Sequence, residues 1–354
     1  MDGMEDLASL TPLIDQRIVL SDSMNSSFIN KTGEEAEVDV MGLGLRVSLS
    51  LAMACVCVGS IFGNLLVFVS LVRERPLPNP SMQLIFRHLS FANFLLALVG
   101  EPLVVVSLAF GHWVWGENMR FFEAFWVTTF GLLSMMILAL ISFEQYSRFV
   151  KQKQLLNWQV MALLGGIYFL ALLFGVTPLI GWCGYGPEGY GVSNSLLWND
   201  LDNNAASYIV VIMIVGYFCP LTIIMYCYRS IYNLVQVQSN VAIVSTIISE
   251  NVTVLTANRN HSLLVQERQL ATTITFVILA FFFCWSPYVV INLINMFTPW
   301  VTKYRILATV PALFAKSSTL WWVVLYSMMD SRIKKACRKT CEHFRRAFRV
   351  WYFT

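Results

Sequence analysis

The sequence predicts an all-α membrane protein, a bundle of seven transmembrane helices followed by an amphipathic helix on the membrane surface. Three observations carry that prediction. The chain of 354 residues is 57% hydrophobic and only 13% charged, with a mean hydropathy of +0.63, too apolar for a surface that faces water. Several stretches without Asp, Glu, Lys or Arg are long enough to cross about 30 Å of hydrocarbon as helices. The basic residues fall mainly on the connections of one parity, as the positive-inside rule requires.

Residues 1–45 are acidic and lack the apolar core of a cleavable signal peptide, so the first span leads insertion and this segment is expected outside the cell. It carries the sequons Asn25-Ser26-Ser27 and Asn30-Lys31-Thr32, whose amides accept a glycan if that side is luminal during synthesis. The seven-helix domain is expected over residues 46–330. Charge-free runs at Val47–Val72, Leu155–Gly186, Ala205–Tyr228 and Leu270–Val301 give four spans. Leu89–Trp115, Phe121–Phe143 and Ile306–Met329 give three more if one charge each is tolerated.

An odd number of crossings puts the ends on opposite sides. With the C-terminus inside, the cytoplasmic parts hold most of the 24 Lys and Arg residues, including Arg73, Arg148, Lys151 and the basic tail. The net charge of +3 therefore describes topology in a plasma membrane, and no nucleic-acid partner is expected. Short links such as Glu74 to Pro80 and Gly116 to Arg120 predict antiparallel neighbours. The longest link, Arg229 to Gln269, reads as extensions of two helices joined by a loop. Its sequons at Asn251 and Asn260 face the cytoplasm and are expected to stay unmodified.

Residues 331–354 form the cytoplasmic tail, where Ile333, Ala336, Phe344 and Ala347 alternate with Lys and Arg as in a basic helix lying on anionic lipid. Cys337 and Cys341, four apart, are expected on one face as palmitoylation sites, with free thiols as the competing reading. Of eight cysteines only Cys183 lies near the outer surface, so no disulfide is expected within the chain. No metal site is expected either.

Three ionisable residues lie inside spans: Glu101, Glu123 and Lys316. Each costs at least about 2.5–3.5 kcal/mol to insert, which makes each a functional candidate in need of a partner. Lys316 is flanked by apolar and hydroxyl residues from Ile306 to Met329, too deep to snorkel easily. Burial lowers a lysine's pKa, and the neutral amine condenses with aldehydes to a Schiff base. A structural Lys–Glu ion pair explains the same residues, and the chemistry alone leaves both readings open.

Motifs spread across the chain decide further: Gly63-Asn64 in the first span, Pro220 and Tyr228 in the fifth, and Cys284-Trp285-Ser286-Pro287-Tyr288 in the sixth. Their order and spacing resemble the rhodopsin-like G-protein-coupled receptors. Pro220 and Pro287 each remove a backbone donor and bend a helix around a cavity, and Trp285 supplies a rigid wall. Phe314-Ala315-Lys316-Ser317-Ser318 is similar to the retinal-attachment segment of animal opsins, and Gly181 to Gly189 is similar to the loop that plugs their pocket.

The resemblance implies a photoreceptor whose cofactor is retinal, 11-cis or all-trans, bound to Lys316 as a protonated Schiff base. It also implies a counterion at Glu123, which falls 21 residues before Glu144, because a cation in low dielectric needs a carboxylate within about 4–6 Å to stay charged. Glu188 matches an alternative counterion, and Glu101 is a rival that the family pattern does not supply. By position the retinal pocket includes Thr128, Gly131, Leu132, Ile212, Phe281, Trp285, Tyr288, Val289 and Ala312, with ordinary helix packing as the competing reading for each. The signalling switch falls on Glu144, Gln145, Tyr146, Tyr228, Glu267 and Tyr326, and the implied partners are a heterotrimeric G protein and arrestin.

Departures from the pattern concentrate in that switch. Gln145 replaces the arginine of the acidic-Arg-Tyr motif, and Trp322 and Val323 replace the Asn-Pro that is separated from Tyr326 by two residues. Arg120 and Asn194 occupy the positions of the family's disulfide, and a contact from Arg120 to loop carboxylates is the expected substitute. Three functions are therefore carried forward. The first is a signalling photoreceptor, which is not an enzyme. The second is a retinal photoisomerase or non-signalling opsin, and the third is a receptor for a diffusible ligand with no chromophore.

Overall fold

The computed structural model describes residues 41–77, 79–198, 205–248, 254–298 and 304–353, with side chains omitted at 235, 238–248, 254–271, 326–329, 348 and 350–353. Asn25, Asn30 and Asn251 lie outside the described residues, as do the side chains of Asn260, Glu267 and Tyr326. Among the described residues, seven helices are long and apolar enough to cross a membrane. The chain from Met41 onward forms one compact unit.

The spans, in order, are α1 (Leu43–Arg73), α2 (Pro80–Phe110), α3 (Glu117–Phe149) and α4 (Asn157–Val176) with a 3-10 turn to Ile180. A two-stranded antiparallel hairpin, β1 (Tyr185–Glu188) with β2 (Ser193–Leu196), follows. The fifth span joins α5 (Ala205–Met213) through a π-helical turn at Ile214–Phe218 to α6 (Cys219–Ile248). The sixth lies in α7 (Val254–Phe297), the seventh in α8 (Arg305–Lys316) and α9 (Ser318–Met329), and α10 (Ser331–Phe353) ends the chain. Exposed Leu51, Phe62, Phe169 and Phe283 give the bundle an outer surface suited to lipid.

The spans match the expected number and order, with corrected ends. The second begins at Pro80, well before Leu89. Asn79 caps it through its Oδ1 on the amides of Ser81 and Met82, with Pro80 at the first helical position. Arg87 rides inside this helix because its guanidinium donates to the Leu71 carbonyl at 3.0 and 3.1 Å, which a scan for charge-free runs cannot foresee. The helix stops at Phe110 because Gly111 turns left-handed (φ 79°). The third span starts at Glu117, so the preceding link is residues 111–116 rather than Gly116 to Arg120.

The charge-free run of the fourth span outlasts its helix: Gly181, at φ 100°, ends the 3-10 turn and sends the chain into the hairpin. In the seventh span the interruption falls at Ser317, directly after Lys316, and not at the Trp322-Val323 position where the family carries Asn-Pro.

α3 is the axis of the bundle, with Leu132 to Ser142 buried continuously. Polar side chains tie neighbouring spans where no water is available. Ser60 Oγ meets Thr319 Oγ1 at 2.9 Å, Asn64 Nδ2 donates to the Thr319 carbonyl at 3.1 Å, and Ser134 Oγ donates to Asn93 Oδ1 at 2.8 Å. A Cβ at Gly63 would strike Val323, so Gly63 sets how closely the first span approaches the seventh.

α10 is the amphipathic helix the tail predicts. Asp330 Oδ1 accepts from the amides of Arg332 and Ile333 at its start. Its buried face, Ile333, Ala336, Cys337 and Thr340, packs against α1, where Ser70 Oγ donates to Thr340 Oγ1 at 3.0 Å. Cys337 and Cys341 therefore do not share an environment: Cys337 is buried and Cys341 exposed. A four-residue step advances about 40° around a helix, enough to carry Cys341 off the packed edge.

Candidate functional site

Lys316 is the last residue of α8, and its Nζ lies 3.3 Å from Glu123 Oε1. Glu123 is fully buried and the Lys316 side chain is 9% exposed. Two full charges at such depth persist only when paired and hydrogen-bonded. Glu123 meets that condition: its second oxygen accepts from the Asn194 amide at 3.0 Å and from Asn194 Nδ2 at 3.1 Å.

The other two candidate carboxylates have separate environments. Glu188, at the end of β1, is buried and accepts from Ser193 Oγ at 3.1 Å and Ser195 Oγ at 3.2 Å. Burial pushes its carboxyl above the ordinary 4.5, opposed by the Lys316 charge and the two hydroxyls. Glu101 is buried on α2 and accepts from Thr319 Oγ1 at 2.7 Å, while its other oxygen has no partner among the described residues. Of the three, Glu123 alone forms an ion pair with Lys316.

Lys316 and Glu188 line a cavity that holds about 790 Å³ of empty space, its open mouth included, with Glu123 behind Lys316. Eight of the nine expected pocket residues line it: Thr128, Gly131, Leu132, Ile212, Trp285, Tyr288, Val289 and Ala312. Phe281 does not. It stacks behind Trp285 with ring centroids 5.8 Å apart and so supports the wall from outside.

Trp285 is held from three sides. Its Nε1 donates to Ser318 Oγ at 3.1 Å, Phe281 backs it, and a Cβ at Gly131 would come within 3.1 Å of its ring. Tyr288 meets Trp285 edge-on at 6.0 Å and accepts from Trp198 Nε1 at 3.1 Å. The π-helical turn brings Gly216 and Tyr217 into the lining, and Tyr217 Oη lies 2.9 Å from Ser286 Oγ. Trp198 and the β2 residues Asn194 to Leu196 were not foreseen, because a hairpin's register over a bundle leaves no periodic mark in sequence; Tyr217 was missed because a π-helical turn shifts the helical phase.

The hairpin is docked by two further contacts. Gly189 adopts φ 55°, and any Cβ there would clash with Thr309 and the Arg305 carbonyl, while the Tyr190 amide donates to Thr309 Oγ1 at 3.0 Å. Among the described residues Arg120 does not reach a loop carboxylate, the contact that was expected. Its Nη1 donates to Asn194 Oδ1 at 3.0 Å and its Nε pairs with Glu117 of the same helix at 3.1 Å. The two positions expected to replace a disulfide thus touch each other directly.

At the opposite end, beside α10, Glu144 accepts from Asn79 Nδ2 at 2.7 Å, and Gln145 Oε1 accepts from Tyr228 Oη at 3.0 Å. Glu144 and Gln145 are fully buried. Tyr146 reaches Tyr226, with hydroxyls 3.5 Å apart. The fold and site together define a seven-helix membrane protein with a paired lysine at a mostly apolar pocket.

Comparison with known proteins agrees with that class. Residues 63–330 match the family model described as 7 transmembrane receptor (rhodopsin family). The rhodopsin of Todarodes pacificus is 27% identical over 78% of this chain and 62% of its own length. Green-sensitive opsin-1 of Psalidodon fasciatus is 26% identical over 78% of this chain and 75% of that one. Melanopsin-B of Xenopus laevis is 28% identical over 80% and 53%. This chain therefore spans less than two thirds of the Todarodes and Xenopus relatives. The crystal structure of squid rhodopsin superposes with a TM-score of 0.78 at 24% identity, covering 87% of this chain and 88% of that one, a likeness of fold.

The chain belongs to the rhodopsin family of seven-transmembrane receptors. The expected kinship with opsins is borne out by these relatives.

Proposed function

We propose that this chain is a light-absorbing receptor that holds retinal, 11-cis or all-trans, on Lys316 through a Schiff base, with Glu123 as counterion. The observation that carries the reading is the 3.3 Å pairing of Lys316 with Glu123 at the end of the aromatic-walled cavity. Retinal bound there supplies absorption of light and a change of shape on isomerisation.

The residues present suit that group. An apolar rod needs apolar walls, supplied by Leu132, Ile212, Val289 and Trp285, and an aldehyde needs an amine at one end, supplied by Lys316. Glu123 balances the lysine's positive charge, which an apolar site otherwise rejects. Trp285, braced by Phe281 and Ser318, is the rigid surface against which a change of ligand shape acts on the sixth span.

We read the hairpin end as extracellular and the α10 end as cytoplasmic, since the basic residues gather at α10. On that reading α10 lies on lipid, and the end holding Glu144 to Tyr146 faces a G protein and arrestin. A second reading, a retinal photoisomerase, is favoured by Gln145. A neutral amide bonded to Tyr228 stands where the family's arginine is expected, and an isomerase has no need of a cytoplasmic switch.

Two assays separate these. Protein incubated with retinal and reduced with borohydride, which adds hydride to the imine carbon, should yield a retinyl-modified peptide containing Lys316; modification elsewhere or none contradicts the attachment. Light-dependent nucleotide exchange on added G proteins supports the receptor. Release of isomerised retinal without exchange supports the isomerase.

A further inference from the structure

The β2 strand places three consecutive polar residues against two buried carboxylates. Ser193 and Ser195 bond Glu188, while Asn194 between them points the other way and bonds Glu123. This follows from the two-residue period of a strand. The two sets of partners differ in kind. A serine hydroxyl donates or accepts and so tolerates a carboxyl group in either protonation state. A backbone N–H and an amide NH₂ only donate, so they favour the ionised form alone.

The orientation of the Asn194 amide is fixed by its other neighbour. Arg120 is a donor without acceptors, and it holds Asn194 Oδ1 at 3.0 Å. Flipping the amide would set NH₂ against guanidinium and oxygen against carboxylate, so Arg120 commits Nδ2 to Glu123. We propose that Asn194 is a positioning residue that keeps Glu123 ionised and directed at Lys316, and that Arg120 fixes its orientation. The place of the family's covalent staple is thus taken by a polar link that also sets the charge of the site. This rests on the function proposed above only where retinal is concerned.

Charged groups facing Glu123 are Lys316 from α8 and Glu188 from β1; Arg120 and Glu117 lie on its own helix, and Glu101 of α2 acts through Lys316. The test uses the full chain in two states. Without retinal, the infrared carboxylate band lost in Glu123→Gln is followed against pH. Asn194→Ala should raise its midpoint by about one unit, the worth of a charge-assisted hydrogen bond. Arg120→Ala should raise it less. With retinal, Asn194→Ala should lower by a similar amount the pH at which the visible band is lost.

Thr309→Ala loosens the hairpin at its other anchor and should lower the melting temperature without moving either titration. A Glu123 midpoint unchanged in Asn194→Ala, or moved as much by Thr309→Ala, overturns the proposal. Should Asn194→Ala fail to fold, Asn194→Ser, which replaces the amide by a shorter hydroxyl that donates or accepts, should show part of the same shift; none overturns it. If wild type gives no visible band, the retinal reading fails, and the infrared titration still decides the role of Asn194.

Discussion

Glu123 and Glu144 are both fully buried carboxylates on α3, one near each end of the helix, yet their surroundings follow different chemistry. Around Glu123 the partners are a cation, a backbone amide and an oriented side-chain amide, so both oxygens are engaged by strong donors. Glu144 accepts from the neutral Asn79 amide at 2.7 Å and pairs with Arg148 of its own helix at 3.9 Å. Its neighbour Gln145 brings no charge, and Gln145 Nε2 has no partner among the described residues. The hairpin end is organised around a charge that must be kept. At the other end the neutral bond between Gln145 and Tyr228 stands where the family uses an arginine, and a neutral bond is about half as strong as a charge-assisted one.

The largest effect that sharpens this contrast is expected from Glu123→Gln. It leaves the Lys316 ammonium buried without its counter-charge, a loss of about 3–5 kcal/mol. Thermal melting of the chromophore-free protein should show a large drop, and a drop no larger than that of an exposed-site variant would erase the distinction. At the opposite end Tyr228→Phe removes a neutral hydrogen bond from Gln145 and should cost about 1–3 kcal/mol. A cost equal to that of Glu123→Gln would mean the two ends are not organised differently.

A smaller effect concerns Glu188. Burial raises its carboxyl above the ordinary 4.5, so the folded protein keeps this proton after the unfolded chain has lost it. Its contribution is complete below the unfolded value and is lost as pH rises through the folded one. Melting followed from pH 4 upward should decline over that window, and Glu188→Gln should remove this component of the slope. A slope unchanged in the variant would place the titration elsewhere.

The sequence was most legible where a physical cost leaves a local mark. Charge-free runs located the spans, the expense of a buried charge singled out Glu101, Glu123 and Lys316, and the family resemblance chose Glu123, which the fold brings to Lys316 across 193 positions of sequence. Eight of the nine residues chosen by motif position line the cavity, while Phe281 lies a layer behind and the hairpin's lining residues were missed. What stayed hidden depends on long-range register. Nothing local announces that Arg87 satisfies the Leu71 carbonyl, or that Asn194 lies between Arg120 and Glu123. The separate environments of Cys337 and Cys341 arise from how α10 rests on α1, which helical periodicity does not contain.

The central claim is that the paired lysine at the base of the cavity is a chromophore anchor. The most direct measurement is the dark and illuminated absorption spectrum of the full chain purified with 11-cis-retinal, beside Lys316→Ala treated identically. The account predicts a visible band that changes on illumination in the wild type and is absent from the variant. An identical band in both, or none in either, would contradict it.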